Sequence, residues 1–195
     1  MTISRNVPIL LGALCCLAPA QSVIGTDGCP DLQGKSTEAH LEYLRGDRSK
    51  LAPKCIVAAI RYIGAERYAK ASAVLIQYLD YHEPDYRQQI PLRLSIPNVY
   101  PAVDALNSLG KPVVPELIAV VSNLDAPELV RRNAAEAIFL IYAVSPEGIA
   151  VLVRAAHAEK DPMASNLLMD QARRLAATCL AASRNDCENA ALKRE

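Results

Sequence analysis

The chain has 195 residues, with 21 Lys+Arg against 21 Asp+Glu, so its formal net charge is zero; it contains one Phe and no Trp. Without a basic excess it lacks the electrostatic footprint of a nucleic-acid partner. The apolar run at 7–17 is about half the roughly 20 residues that a membrane-spanning helix needs, so no span is expected. The composition is rich in Ala, whose small side chain suits close helix packing. Few stretches alternate as half-buried strands do, and the predicted class is all-α.

Residues 1–20 are predicted to be a secretory signal peptide. Arg5 lies in the polar head, 7–17 is the apolar centre, and Ala18-Pro19-Ala20 is an A-x-A site with cleavage near Ala20-Gln21. The rival is a lipoprotein acylated at Cys15 or Cys16, but neither cysteine follows the Gly or Ala that a lipobox prefers. Cleavage removes Arg5 and no acid, leaving 20 Lys+Arg against 21 Asp+Glu and a net charge of −1. The expected location is secreted or periplasmic. The remaining chain, about 175 residues, suffices for one domain with its own core.

Residues 21–35 read as an irregular segment. Gly28 and Gly34-Lys35-Ser36 narrowly miss a phosphate loop, with five residues between the glycines where the motif has four, and no strand precedes them. Ser36 is instead the expected cap of a helix over 36–45, which turns Leu41 and Leu44 inward and stops at Gly46. A second helix is predicted over 52–63, from Pro53 to Gly64, with Ile56, Ala59, Ile60 and Ile63 as its apolar face. A third, over 66–79, buries Tyr68, Ala71, Leu75, Tyr78 and Leu79. A helix at 99–109 carries Ala102, Ala105, Leu106 and Leu109 before Gly110. Ser145-Pro146-Glu147 starts another, with Ile149, Leu152, Val153 and Ala156 inward. Asp161-Pro162 caps the last helix, at 163–183, and 185–195 form a tail.

The most informative stretch is 112–142. Val114, Leu117, Ile118 and Val121 fall on one helical face. Asn123-Leu124-Asp125 makes a turn, and Asp125 with Glu128 reads as a capping box beside Pro127. The next helix buries Leu129 or Val130, then Ala134, Ala137, Ile138 and Ile141. Such a helical hairpin cannot bury its apolar face alone and needs neighbours.

The pattern Pro115, Leu117, Asp125, Arg131, Ala134-Ala135 and Ala137-Ile138 resembles a HEAT repeat. In that family the acid in the turn and the basic residue of the second helix are matched to those of adjacent repeats. The resemblance implies a short right-handed α-solenoid of about four helical hairpins over 36–184, with Asp80, Asp125 and Asp161 at three turns and Arg131 in the stacking position. The tetratricopeptide alternative would show aromatic and Gly positions at a 34-residue period, and these do not occur.

One turn differs from the others. The segment 80–98 is long and contains Pro84, Pro91 and Pro97, and insertions in repeat proteins often contribute to binding. Tyr78, Tyr81, Tyr86 and Tyr100 lie in it or at its edges, with Arg87 and Arg93 nearby. Tyr and Arg favour interface hot spots, and Tyr81, Tyr86, Arg87 and Arg93 are the candidate binding residues. The bland alternative places Tyr78 and Tyr100 in the core and folds Ile90, Leu92, Leu94 and Ile96 back onto the helices. Asp80, His82, Glu83 and Asp85 form a loose metal-like cluster without the spacing of a zinc or calcium site, so a solvated turn is preferred.

Four cysteines follow the signal segment, and the predicted pairs are Cys29–Cys55 and Cys179–Cys187; buried free thiols are the alternative. Both bonds would fasten an end of the array, where one neighbour is missing. No C-x-x-C is present. His40, His82 and His157 are expected on surfaces or helix faces, and no catalytic signature accompanies them. Glu136 and Asp104 fall beside the buried stripe. Arg131-Arg132 and Arg173-Arg174 offer an anionic site, although such residues more often snorkel or pair with turn acids. The chain therefore reads as an exported, non-catalytic scaffold for another protein or peptide, without a cofactor. The alternative is an enzyme or cofactor-handling protein, since some HEAT-like proteins resemble bilin lyases.

Overall fold

The computed structural model describes residues 29–83, 99–143 and 145–182. The predicted signal segment 1–20 and tail 185–195 lie outside these residues. Among the described residues the regular structure is entirely helical. The α-helices are α1 (Thr37–Arg45), α2 (Pro53–Ala65), α3 (Ser72–Ile76), α4 (Pro101–Leu109), α5 (Val114–Ser122), α6 (Glu128–Ile141), α7 (Pro146–Ala158) and α8 (Pro162–Ala182).

Several ends follow the local chemistry read from sequence. The Ser36 hydroxyl accepts from the Ala39 N–H at 3.3 Å and caps α1. Asp161 caps α8 by accepting from the Ala164 N–H at 2.7 Å, with Pro162 entering the first turn, where a missing N–H costs nothing. Gly110 ends α4 with φ +78, a conformation open to glycine. None of the described helices is long and apolar enough to cross a membrane.

Other ends depart from expectation. Asp125 does not cap α6. That helix starts at Glu128 behind Pro127, without a side-chain cap. The Asp125 N–H instead donates to Asn123 Oδ1 at 3.1 Å, so Asn123 organises the turn and Asp125 is left exposed. Gly64 does not end α2 but lies buried within it. A Cβ there would stand 2.7 Å from the Ala105 Cα, so the missing side chain lets α2 and α4 approach closely. The chain reverses at Arg67, which has φ +49. There the Tyr68 N–H reaches Ile63 O and the Arg67 N–H reaches Gly64 O, a Schellman closure built on a non-glycine residue. This reversal breaks the expected 66–79 helix, leaving a short 3₁₀ turn at Ala69–Ala71 and the single-turn α3.

The helices pack in pairs: α1 on α2, α3 on α4, α5 on α6 and α7 on α8. The second members also touch in series, α2 to α4, α4 to α6 and α6 to α8. Small buried residues line this series, among them Ala59, Ala102, Ala105, Ala134, Ala137 and Ala172. Gly148 repeats the close approach elsewhere, since a Cβ there would lie 2.3 Å from the Tyr142 Cβ. Polar ties cross the same core. Asn133 Nδ2 donates to Leu79 O at 2.6 Å. Glu136 lies in the buried stripe, where the Arg174 guanidinium donates to both carboxylate oxygens at 2.5 and 3.2 Å. Arg174 also lies over the Phe139 ring, 4.0 Å from its centroid.

Cys29 and Cys55 form a disulfide that fastens the segment before α1 onto α2, as predicted. Cys179 is disulfide-bonded as well; its predicted partner, Cys187, lies outside the described residues.

Three replacements test these packing arguments by urea denaturation. Arg67→Gly is expected to stabilise the fold by about 1 kcal/mol, by relieving a left-handed L-residue. Gly64→Ala is expected to destabilise it by about 1–3 kcal/mol, because Ala105 backbone cannot retreat without separating two helices. The double replacement Cys29→Ala/Cys55→Ala is expected to cost about 3 kcal/mol, since the bond closes a long loop of the unfolded chain.

Candidate functional site

The base of the 80–98 insertion is built around a residue that the sequence pattern did not single out. Arg48 sits in the 3₁₀ turn Arg48–Lys50 between α1 and α2, which Asp47 caps through the Ser49 N–H. Its guanidinium donates to Asp80 Oδ1 at 2.8 Å. It also lies over the rings of Tyr78 and Tyr81, 5.2 and 4.9 Å from their centroids. The two rings meet edge to face at 6.0 Å. Arg48 thus bridges the first hairpin to the start of the insertion, over 30 positions later.

The tyrosines are engaged internally. Tyr78 is buried, and its hydroxyl donates to Leu44 O at 2.7 Å. The Tyr81 hydroxyl donates to Pro53 O at 3.2 Å, so this candidate binding residue holds the insertion to the start of α2. Burial pushes both phenols above the ordinary tyrosine range, and the Arg48 charge partly offsets it.

The two ends of the insertion meet. The Glu83 N–H donates to Val99 O at 2.8 Å, so the chain leaves and returns at one point. The Glu83 carboxylate is mostly shielded and pairs with Arg61 of α2 at 2.8 Å. Asp80 and Glu83, members of the loose metal-like cluster for which the sequence prefers a solvated turn, are each held by an arginine. Among the described residues no group of three or more acids, histidines or cysteines is placed to hold a metal ion. Tyr86, Arg87, Arg93 and Asp85 lie outside the described residues.

The turn acids do not act alike. Asp80 pairs with Arg48, Asp161 caps its own helix, and Asp125 makes no ion pair among the described residues. Arg131, expected to match a turn acid, is buried in α6, and its Nε has no hydrogen-bond partner. His40 is fully buried rather than on a surface. It stacks on Tyr62 at 4.0 Å, with its Nδ1 2.9 Å from Ser36 O. Of the positions that sequence reasoning missed, Arg48 had no local signal, because its partners are distant in sequence. Glu136 had one: its place on the helix adjoins the apolar stripe.

No protein-family model, no curated protein and no solved structure matches this chain.

Arg48→Ala separates the parts of this cluster. Loss of the cation is expected to raise the Tyr78 and Tyr81 titrations further, read by ultraviolet absorbance of the phenolates. A phenol with a raised folded pKa contributes stability fully below the unfolded value of about 10, and loses it as pH climbs through the folded value. In the variant, alkaline unfolding should therefore be steeper than in the parent, from a lower starting stability.

Proposed function

We propose that the chain is an exported, non-catalytic HEAT-like scaffold that presents the 80–98 insertion to another protein or peptide. The observation that carries this reading is the closed base of the insertion. Its ends are joined by the Glu83–Val99 backbone hydrogen bond, and its leading end is clamped by the Arg48–Asp80 and Arg61–Glu83 ion pairs. A segment with fixed ends loses less freedom when it binds than one that must first be gathered. The serial contact of α2, α4, α6 and α8, with a partner helix on each, supports a short solenoid of four hairpins. The Cys29–Cys55 disulfide suits an oxidising compartment and so supports export of the chain after cleavage near Ala20-Gln21.

The mature protein, used as bait in an envelope extract of its source organism, tests this reading. The comparison is a variant with Tyr86, Arg87 and Arg93 changed to Ala and Tyr81 kept, because Tyr81 holds the base together. A partner retained by the parent and bound about thirtyfold more weakly by the variant is the expected result, the scale of losing one hot spot. A partner held equally by both would move the contact to the helices. A chain that stays monomeric and captures nothing would overturn the scaffold reading.

A further inference from the structure

Arg131 is the most telling buried group outside the insertion. Its relative exposure is 9 %, and its Nε is inaccessible and without a partner. A guanidinium stays charged at every pH at which the protein is folded. Buried charges are ordinarily paired, because removing one from water without compensation is costly. Glu136, buried on the same helix, shows the usual outcome, with the Arg174 guanidinium donating to both its oxygens. Nothing among the described residues does the same for Arg131.

Arg131 also lines an open cavity of about 310 Å³ on the surface between α6 and α8. Met163 and Leu167 give it an apolar wall, and Arg132 and Asn166 add a second cation and an amide. Glu128 and Asp170 line it too, and Asp170 is held by Arg173 at 2.7 Å. With Asp170 paired to Arg173, Arg131 and Arg132 face one remaining carboxylate, Glu128, and the excess positive charge suits an incoming group with a single negative charge. The volume is at the lower end for small-molecule sites, enough for one short alkyl chain and its head group.

We propose that this cavity binds an aliphatic carboxylate, with its two oxygens on the Arg131 guanidinium and its alkyl body against Met163 and Leu167. The carboxylate is that of a small acid or of the last residue of a peptide; the chemistry at Arg131 is the same. A planar guanidinium matches a carboxylate with two parallel hydrogen bonds. None of Arg48, Tyr81 and Glu83 lines the cavity, and the inference stands whether or not the insertion binds a partner.

The test uses the isotope-labelled mature protein and follows the Arg131 Nε–H resonance by nuclear magnetic resonance. The probes are N-acetyl-leucine and its uncharged amide, N-acetyl-leucinamide. The acid should move the Arg131 signal saturably, and the amide should bind at least about tenfold more weakly, the scale of a hydrogen bond to a charged group. Arg131→Met should lose acid binding by a similar factor yet melt no lower than the parent, because it removes a buried unpaired donor and keeps the volume. A residue that only supported the fold would lower the melting temperature instead. Arg131→Lys, which keeps the charge without the fork, should bind the acid more weakly than the parent.

A tetrapeptide ending in leucine, with a free carboxyl, separates the two sources. Tighter binding than N-acetyl-leucine assigns the site to a polypeptide end, and equal binding assigns it to a small acid. If the acid leaves the Arg131 signal unmoved, or binds Arg131→Met as well as the parent, the proposal is overturned. Inorganic phosphate that moves the signal more readily than the acid would overturn the choice of a carboxylate.

Discussion

The spacing of α2 and α4 is set by a missing atom. A Cβ on Gly64 would stand 2.7 Å from the Ala105 Cα, so the two backbones are as near as any side chain would prevent. Because α4 next meets α6, and α6 meets α8, the position of each second helix depends on the one before. Alanine at 105, 134, 137 and 172 continues the close packing along this series. Such an interface has little volume to adjust, since interiors are packed near crystal density. The polar ties then fix the helices along their axes. Asn133 reaches Leu79 O across 54 positions, and Glu136 meets Arg174 across 38. Removing Arg174 would leave the buried Glu136 carboxylate unmet, which costs more than the bond itself contributes.

The same framework explains which parts of the structure were legible in the sequence. Helix ends governed by one side chain were readable, as at Ser36, Gly110 and Asp161. The apolar faces of α2, α4 and α5 were readable too, because burial imposes the helical period. What failed was decided by contacts far away in sequence. Gly64 looked like a stop because glycine often ends helices, but its role is set by Ala105 in another helix. Arg67 carries no local sign that it adopts a left-handed turn, and that turn divides the predicted third helix. Asp125 lost the cap because Asn123, two residues earlier, closed the turn first and Pro127 delayed the helix.

The candidate site divides in the same way. The length and prolines of the insertion mark it in sequence, but how its ends are held does not show there. Arg48 serves Asp80, Tyr78 and Tyr81 at once, and no periodicity links a turn residue to partners some 30 positions on. Tyr81 was singled out for its side-chain type. Its hydroxyl and ring both make contacts within the fold, so it helps to hold the insertion in place. Composition can suggest an adhesive surface, and only geometry separates the residues that face outward from those that brace it.

Helix α6 brings these threads together. It buries three polar residues, Arg131, Asn133 and Glu136, on a helix whose buried apolar positions are mostly alanines. Two of them are satisfied by neighbours in the array, Asn133 by the turn after α3 and Glu136 by α8. Small residues make this possible, because they leave room for long side chains to cross between helices. Arg131 is buried on the same helix and also faces α8, yet α8 offers it Asn166 and Leu167 beside an acid already held by Arg173. A stack that pairs its other buried polar side chains on this helix, and leaves a cavity at the one it does not pair, has kept a charge available at a cost to its own stability. Such a cost is expected where a charge serves a ligand, and it makes α6 at once the structural centre of the array and the wall of a site.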